Sequence, residues 1–223
     1  MDGKLFASAL TKYAAGVVIV GLLVFLPAGT LDWWQGQLFM GVLFVPMFCA
    51  GIVMMVKAPD LLRKRLSADE EEPEQRKVLA LSALMFISAF LVAGFGFRFG
   101  WPSFPSWASI AGAVVFLASY ALYAEVMREN AYLSRTVEVQ EGQSVIDTGL
   151  YGIVRHPMYG ATVFLFLSMP IVLGSPISFA IMLAYPLIIA KRIRNEEAVL
   201  AEGLDGYRAY MNRVRWRLIP HIW

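Results

Sequence analysis

The sequence predicts an all-α protein: a polytopic integral membrane bundle of about six transmembrane helices, with a cytosolic amphipathic helix. Hydrophobic residues make up 58% of the 223 residues and charged residues 16%, and the mean hydropathy is +0.60. Soluble domains carry roughly 25% charged residues, and a single core of this size could not bury the apolar excess. Because lipid offers the backbone no hydrogen-bond partners, we expect the segments that cross it to fold as helices.

Four uncharged stretches in the first part of the chain have membrane-spanning length. They are Tyr13 to Leu31, Leu38 to Val56, Val78 to Phe97 and Trp107 to Ala124. A helix rises about 1.5 Å per residue, so roughly 20 residues cross a hydrocarbon core of roughly 30 Å. We assign these spans, with the charged connector between the second and the third, to an amino-terminal domain of residues 1–127.

A fifth uncharged stretch, Met158 to Ala190, is too long for one span and predicts a helical hairpin. Gly174, Ser175 and Pro176 lie at its middle, and such residues favour a tight turn. Beyond it, apolar residues recur at helical spacing and predict an amphipathic helix on the membrane surface. These residues are Leu204, Tyr207, Tyr210, Met211 and Val214. The hairpin and the tail belong to a second predicted domain, residues 128–223.

The positions of the basic residues predict the orientation of the bundle. With six spans, all but one of the 19 lysine and arginine residues fall on the same side of the membrane, and Arg98 is the exception. The positive-inside rule assigns that side to the cytosol. We therefore expect a multi-pass protein with both termini and the active site in the cytosol.

The composition disfavours several classes of function. One cysteine, Cys49, and two histidines, His156 and His221, are too few for a disulfide framework or a Cys/His zinc site, so we expect no metal. A net charge of +2 gives no indication of nucleic-acid binding. Transporters usually place ionisable residues within their spans, and here only Glu125 lies near the end of one. A small transporter is thus disfavoured, whereas a non-catalytic membrane scaffold stays open.

A basic pair before the hairpin predicts an anion site. Arg155 and His156 stand directly before Pro157, a residue that suits the first turn of a helix. Unpaired backbone donors and the positive end of the helix dipole would join the two side chains in favouring a carboxylate or phosphate. The alternative is that the pair only marks the membrane interface. After the hairpin, Arg192 and Glu196 share a helix face, which by itself could be a surface ion pair.

A series of polar and aromatic motifs fills the last two fifths of the chain, roughly Glu129 to Trp223. The motifs are Glu129-Asn130-Ala131-Tyr132-Leu133-Ser134, Val145-Ile146-Asp147-Thr148-Gly149-Leu150-Tyr151, Arg155-His156-Pro157-Met158-Tyr159-Gly160, Arg192 with Glu196-Glu197, Tyr207 with Tyr210 and Val214, and Ile219-Pro220. Together they resemble the isoprenylcysteine carboxyl methyltransferase family, whose wider relatives are the membrane phospholipid methyltransferases. The Arg-His-Pro-x-Tyr motif, followed about 40 residues later by Glu-Glu, carries most of the resemblance. The four upstream spans match only in being apolar.

The resemblance implies a membrane enzyme that uses S-adenosylmethionine and leaves S-adenosylhomocysteine. The methyl group would pass to a lipophilic acceptor from the bilayer, in the first place the carboxylate of a prenylcysteine-like or isoprenoid substrate. A phospholipid, or a small amine or thiol, is the alternative acceptor, and the sequence does not separate these cases. The expected partners are this small or prenylated substrate and membrane lipids. Eukaryotic members carry additional spans, so this shorter chain is expected in the cytoplasmic membrane of a prokaryote.

The resemblance also implies which residues bind the cofactor. His156 would hold its carboxylate, and Glu196 or Glu197 would accept hydrogen bonds from the ribose hydroxyls or the ammonium group. Tyr207 would help to close the pocket over the adenine. The other implied contacts are the hydroxyls and rings of Tyr151 and Tyr159 and the backbone at Gly160.

For catalysis, the resemblance implies roles for Arg192 and Glu196. A methyl group on a sulfonium is already activated, so the enzyme has to align the acceptor and exclude water. Arg192 would hold an acceptor carboxylate through two hydrogen bonds, while Glu196 keeps the guanidinium oriented. An amine acceptor would have to lose a proton, and a glutamate would then be the candidate base.

Overall fold

Helices form the regular structure of the chain in this computed structural model. The structure describes residues 3–66, 73–130, 132–133 and 139–223. Part of the charged connector, residues 67–72, and two residues of the first motif, 131 and 134, lie outside these ranges. Within them we number nine α-helices and one 3-10 helix. They are α1 (Gly3–Ala28), α2 (Trp34–Lys57), α3 (Pro59–Leu66), α4 (Pro73–Arg98), α5 (Ser106–Glu129), the 3-10 helix (Gly149–Gly152), α6 (Pro157–Val172), α7 (Pro176–Met182), α8 (Tyr185–Gly203) and α9 (Tyr207–Arg213).

In the part of the chain that the structure describes, five helical segments are long and apolar enough to cross a membrane. They are α1, α2, α4 from Arg76 onward, α5, and the consecutive pair α7 and α8. The shorter α6, with 16 residues, is also apolar and forms the first arm of the predicted hairpin. Large apolar side chains face outward along the spans, and Leu22, Val45 and Leu187 are each more than half exposed. The predicted all-helical membrane bundle is therefore confirmed.

The turn of the hairpin lies at the predicted residues. Gly174 has a φ of +73°, a conformation that glycine adopts readily. The Ser175 hydroxyl caps α7 by accepting a backbone hydrogen bond from its first turn, and Pro176 begins that helix. The second arm is interrupted, because α8 begins only at Tyr185, with Pro186 in its first turn. Proline has no backbone N–H and is tolerated there, but it cannot continue the hydrogen bonds of a preceding helix.

Two glycines let helices approach closely. A Cβ atom at Gly94 in α4 would lie 2.6 Å from the carbonyl oxygen of Val24 and 2.9 Å from Cβ of Pro27, both in α1. At Gly112 in α5, an added Cβ would lie 2.9 Å from Cγ2 of Ile171 in α6. Since Gly112 and Ile171 lie on either side of the predicted boundary between residues 127 and 128, the two predicted domains are in direct contact. The division itself stays a prediction.

We expect Gly94→Ala to destabilise the bundle by about 1–3 kcal/mol, because the new methyl group must push α1 away from α4. The matched control is Gly41→Ala in α2, where an added Cβ meets nothing within 4 Å. Alanine has the higher helix propensity, so the control should keep or slightly raise stability. Thermal unfolding in one detergent measures both variants. Equal melting temperatures would contradict the close contact between α1 and α4.

The tail helix expected on the membrane surface is short, and its apolar side chains are buried within the protein. Gly203 ends α8, and Gly206, with a φ of +81°, precedes α9. The apolar cluster consists of Leu204, Tyr207, Tyr210 and Val214, packed against Val139, Val145 and Leu200. The helical spacing was read correctly, but this face covers the protein's own loop and α8.

The carboxyl-terminal segment, residues 214–223, returns to the start of α6. The backbone N–H groups of Arg155 and His156 donate to the carbonyl oxygens of Trp216 and Arg217, each at 2.9 Å. The first residues of the Arg-His-Pro motif are thus held by a part of the chain about 60 residues away. This contact places the segment directly beside the candidate site.

Candidate active site

A polar pocket lies at one end of the bundle, between the start of α6, the second half of α8, α9 and the loop before the 3-10 helix. Six of the eight residues predicted to form the site line it: Tyr151, His156, Tyr159, Arg192, Glu196 and Tyr207. The two segments that carry the resemblance therefore lie together, as expected. Asn130 and Tyr210, to which the sequence analysis gave no role in the site, line the pocket as well.

The hydroxyl of Tyr159 joins the two residues that were assigned catalytic roles. Nε of Arg192 donates a hydrogen bond to this hydroxyl at 2.8 Å, and the hydroxyl donates to Oε2 of Glu196 at 2.5 Å. Tyr159 lies in the first turn of α6, whereas Arg192 and Glu196 lie one turn apart on α8. The resemblance implied that Glu196 keeps the guanidinium of Arg192 oriented. In the structure Tyr159 stands between them.

Glu197, the second residue of the Glu-Glu motif, lies behind the pocket and does not line it. Its side chain is 4% exposed. Oε1 accepts a hydrogen bond from Nε of Arg155 at 2.7 Å and lies 3.2 Å from Nε2 of His156. Oε2 accepts from Nε of Arg217 at 2.7 Å. This placement gives Glu197 a supporting position, and its implied contact with a cofactor stays a prediction.

Arg155 is also directed inward. Besides its bond to Glu197, it donates from Nη1 to the carbonyl oxygens of Val214 and Arg215, at 2.7 Å and 2.9 Å. The guanidinium that was expected to help bind an anion is therefore engaged by acceptors of the protein itself. It ties α8 to the carboxyl-terminal segment. The sequence around Arg155 does not indicate this role, because the hydrogen-bond partners of its side chain are 42 to 60 residues away.

Buried tyrosines form another wall of the pocket. The rings of Tyr207 and Tyr210 lie 5.6 Å apart, and the Tyr210 hydroxyl donates to the carbonyl oxygen of Tyr151 at 2.8 Å. Nδ2 of Asn130 donates to the Tyr151 hydroxyl at 3.1 Å. Burial, followed by the nearby glutamate charges, raises the pKa of Tyr207 well above its usual value. This phenol therefore stays neutral at physiological pH.

Gly160 does not line the pocket. A Cβ atom there would lie 3.9 Å from the carbonyl oxygen of Leu218. Gly160 therefore faces the carboxyl-terminal segment, and the structure gives no support to the implied approach of a ligand to its backbone. Among the residues that the structure describes, no group of three or more candidate ligand side chains is placed to hold a metal ion.

Comparison with known proteins finds a family that part of this chain resembles. Residues 110–202 match the model of the isoprenylcysteine carboxyl methyltransferase (ICMT) family. This match covers less than half of the chain, so it shows that this part of the chain is similar to the ICMT family. The part that matches the ICMT model contains every predicted site residue except Tyr207.

A solved structure shows the same fold as this chain. The eukaryotic intramembrane Ras methyltransferase ICMT aligns with a TM-score of 0.61 and 21% identity, over 96% of this chain and 77% of that chain. With the five membrane-spanning segments, the fold identifies an integral multi-pass membrane protein. A curated relative, the Delta(14)-sterol reductase of Methylotuvimicrobium alcaliphilum, is 25% identical over 134 residues, or 53% of this chain. The match spans 31% of that relative's length.

Proposed function

We propose that this protein transfers the methyl group of S-adenosylmethionine to a lipophilic acceptor, the carboxylate of a prenylcysteine-like or isoprenoid compound. One observation carries the proposal. Hydrogen bonds join Arg192, Tyr159 and Glu196 in a polar pocket, and an apolar cavity begins one helical turn away. The match of residues 110–202 to the ICMT family model supports methyl transfer as the class of reaction.

The residues of the pocket fit the chemistry of S-adenosylmethionine. When bound, this molecule supplies a methyl group activated by a sulfonium cation, and it also carries an ammonium group, a ribose and a flat adenine. The carboxylate of Glu196 provides negative charge for the cationic end. The rings of Tyr207 and Tyr210 offer aromatic faces, which attract cations and stack with flat rings.

An apolar cavity of about 720 Å³ lies among α1, α2, α3, α5 and α6. Sites for drug-sized ligands are usually about 300–1,000 Å³, so the cavity could hold the tail of a lipophilic acceptor. Thr162 lines this cavity and donates to the carbonyl oxygen of Tyr159 at 3.0 Å. The cavity and the polar pocket are thus lined by residues of neighbouring turns of α6. A tail in the cavity would place its head group near Tyr159 and Arg192.

The proposed transfer needs alignment and no proton abstraction. One oxygen of the acceptor's carboxylate forms the new bond to the methyl carbon, while the S–CH3 bond breaks and its electron pair stays on sulfur. Arg192 is the candidate to hold this carboxylate, since guanidinium groups bind carboxylates in a defined geometry. Tyr159 keeps Arg192 at the wall of the pocket through the bond to Nε.

An amine or a thiol, including a phospholipid head group, is the second candidate acceptor. The position of Glu196 favours it, because Tyr159 takes Oε2 and leaves Oε1 toward the pocket and His156. Glu196 could then accept the proton that such an acceptor loses. The products differ chemically, because base hydrolyses a methyl ester and leaves an N-methyl group in place.

Ligand binding tests the cofactor. The purified protein should bind S-adenosylhomocysteine in a calorimetric titration, and His156→Ala should weaken binding by about 10- to 100-fold, because it removes a buried polar contact of the pocket. Arg128→Ala is the control. Arg128 is exposed on α5 and pairs only with Glu125 in the described contacts, so this variant should bind like the unchanged protein.

Methyl transfer tests the acceptor. S-adenosylmethionine with a labelled methyl group is incubated with the protein and cellular lipid extracts. Label released by mild base as volatile methanol indicates a carboxylate acceptor. Label that stays bound to nitrogen or sulfur, and is not volatile, indicates an amine or a thiol. Failure of the unchanged protein to bind S-adenosylhomocysteine would overturn the proposed function. Binding without transfer to any extract would instead indicate a non-catalytic scaffold.

A further inference from the structure

The ring of His156 lies between two neighbouring residues of α8. Nε2 is 3.2 Å from Oε1 of Glu197, which is buried behind the pocket. Nδ1 is 4.0 Å from Oε1 of Glu196, which lines the pocket. The ring is itself buried, at 5% exposure. Nδ1 is the nitrogen that faces the pocket, because it is the one beside Glu196.

Glu197 can only accept hydrogen bonds in this position. Nε of Arg155 donates to one of its oxygens and Nε of Arg217 to the other, each at 2.7 Å. Both guanidinium groups are permanently charged, and two cations beside a buried carboxylate keep it ionised. An ionised carboxylate has no proton to donate. The proton in the contact between Glu197 and His156 must therefore be on Nε2.

A neutral ring with its proton on Nε2 presents a lone pair at Nδ1. Since Tyr159 donates to Oε2 of Glu196, Oε1 of Glu196 is left beside this lone pair. Two acceptors 4.0 Å apart can both bind a single donor group at about 2.9 Å. A carboxylate placed there would instead meet a lone pair and a negative charge.

We propose that Glu197 is a positioning residue that holds the proton of His156 on Nε2, so that Nδ1 and Oε1 of Glu196 form a binding site for an ammonium group. This inference rests on the proposed function, in which the ammonium group belongs to the amino-acid end of S-adenosylmethionine. His156 then binds the ammonium group of the cofactor. The resemblance had implied that it binds the carboxylate.

Nitrogen NMR tests the position of the proton without any ligand. The chain contains only two histidines, so protein labelled with 15N-histidine shows two rings. His221→Gln, which changes a residue whose ring is tilted against that of Trp216, assigns the remaining signals to His156. At pH 7.5 we expect a protonated Nε2 and an unprotonated Nδ1. A proton on Nδ1 in the unchanged protein would overturn the proposal, whatever the variants do.

Two substitutions of Glu197 separate its effect on the proton of His156 from its effect on the stability of the protein. In Glu197→Gln, an amide oxygen in the place of Oε1 can keep the bonds from Arg155 and His156, while the bond from Arg217 is lost. We expect this variant to keep the proton on Nε2. Glu197→Ala removes the acceptor, so His156 should shift toward the mixture of tautomers of a free imidazole. An unchanged His156 spectrum in a folded Glu197→Ala variant would contradict the positioning role.

Analogues of S-adenosylhomocysteine test the ammonium site. Acetylation of the amino group should weaken binding by about 10- to 100-fold in the unchanged protein, and by much less in His156→Ala, where the site is already lost. Esterification of the carboxylate should weaken binding equally in both proteins. The opposite pattern would overturn the ammonium site. If the unchanged protein binds no S-adenosylhomocysteine, the proposed function and the ammonium site fail together, while the NMR result still decides the role of Glu197.

Discussion

Replacement of Tyr159 by phenylalanine should lower the rate of methyl transfer by about 10²- to 10³-fold. The hydroxyl makes two hydrogen bonds to charged groups, one from Arg192 and one to Glu196, and each such bond contributes about 1.5–3 kcal/mol. Without it, Arg192 and Glu196, one turn apart on α8, can pair directly. The guanidinium would then leave the position in which it meets the acceptor.

The matched control for this variant is Tyr185→Phe. Tyr185 is a buried tyrosine of α8, and its hydroxyl donates to the hydroxyl of Thr162 at 3.0 Å. Its removal leaves Arg192 and Glu196 in place, so the rate should change by no more than a few fold. Measurement of kcat and KM separates alignment from binding. A Tyr159→Phe enzyme with a rate within threefold of the unchanged protein would contradict the assigned roles of Arg192 and Glu196.

Arg155→Met should destabilise the protein by about 3–5 kcal/mol, the usual effect of removing one partner of a buried ion pair. The variant loses the bond to Glu197 and leaves the carbonyl oxygens of Val214 and Arg215 without this donor. Arg155→Lys should rescue little, because one ammonium group cannot occupy the positions of both Nε and Nη1. We expect a lower melting temperature and faster proteolysis of the carboxyl-terminal segment.

An exposed pair provides the comparison for Arg155. Arg128 and Glu125 on α5 are 2.5 Å apart, and their side chains are 74% and 42% exposed. Surface pairs of this kind contribute about 0–1 kcal/mol, so Arg128→Ala should melt close to the unchanged protein. If Arg155→Met melts at the same temperature as Arg128→Ala, the buried network around Glu197 does not stabilise the fold.

Much of the site could be predicted from composition and order along the chain. Six of the eight named residues line the pocket. The Arg-His-Pro motif stands at the start of α6 and the Glu-Glu motif lies on α8. The hairpin brings this part of α8 back to the end of the bundle where α6 begins. The differences between prediction and structure concern which way side chains face. Gly160 and Glu197 were expected in the pocket, but each faces the carboxyl-terminal segment. The sequence contains no local sign of where that segment returns.

The tail illustrates the same limit. The helical spacing of Leu204, Tyr207 and Val214 correctly predicted an apolar face. Spacing alone does not show whether such a face contacts lipid or the protein itself, because both kinds of face have the same pattern. The choice depends on Val139 and Val145, more than 50 residues earlier in the chain, which pack on this face. Tyr210, counted among the surface residues, is 2% exposed and lines the pocket.

By itself, the sequence determined the membrane-spanning helices, the hairpin and the chemical types of residue at the site. These follow from hydropathy, charge and turn residues, whose effects are local and can be read along the chain. Only the tertiary structure decided that Tyr159 joins Arg192 to Glu196 and that Glu197 lies behind the pocket. Consecutive residues of a helix point about 100° apart, so Glu196 and Glu197 face different neighbours. The role of each glutamate therefore depends on which residues from distant parts of the chain pack against its side of α8. For Glu197 these residues are Arg155 and Arg217.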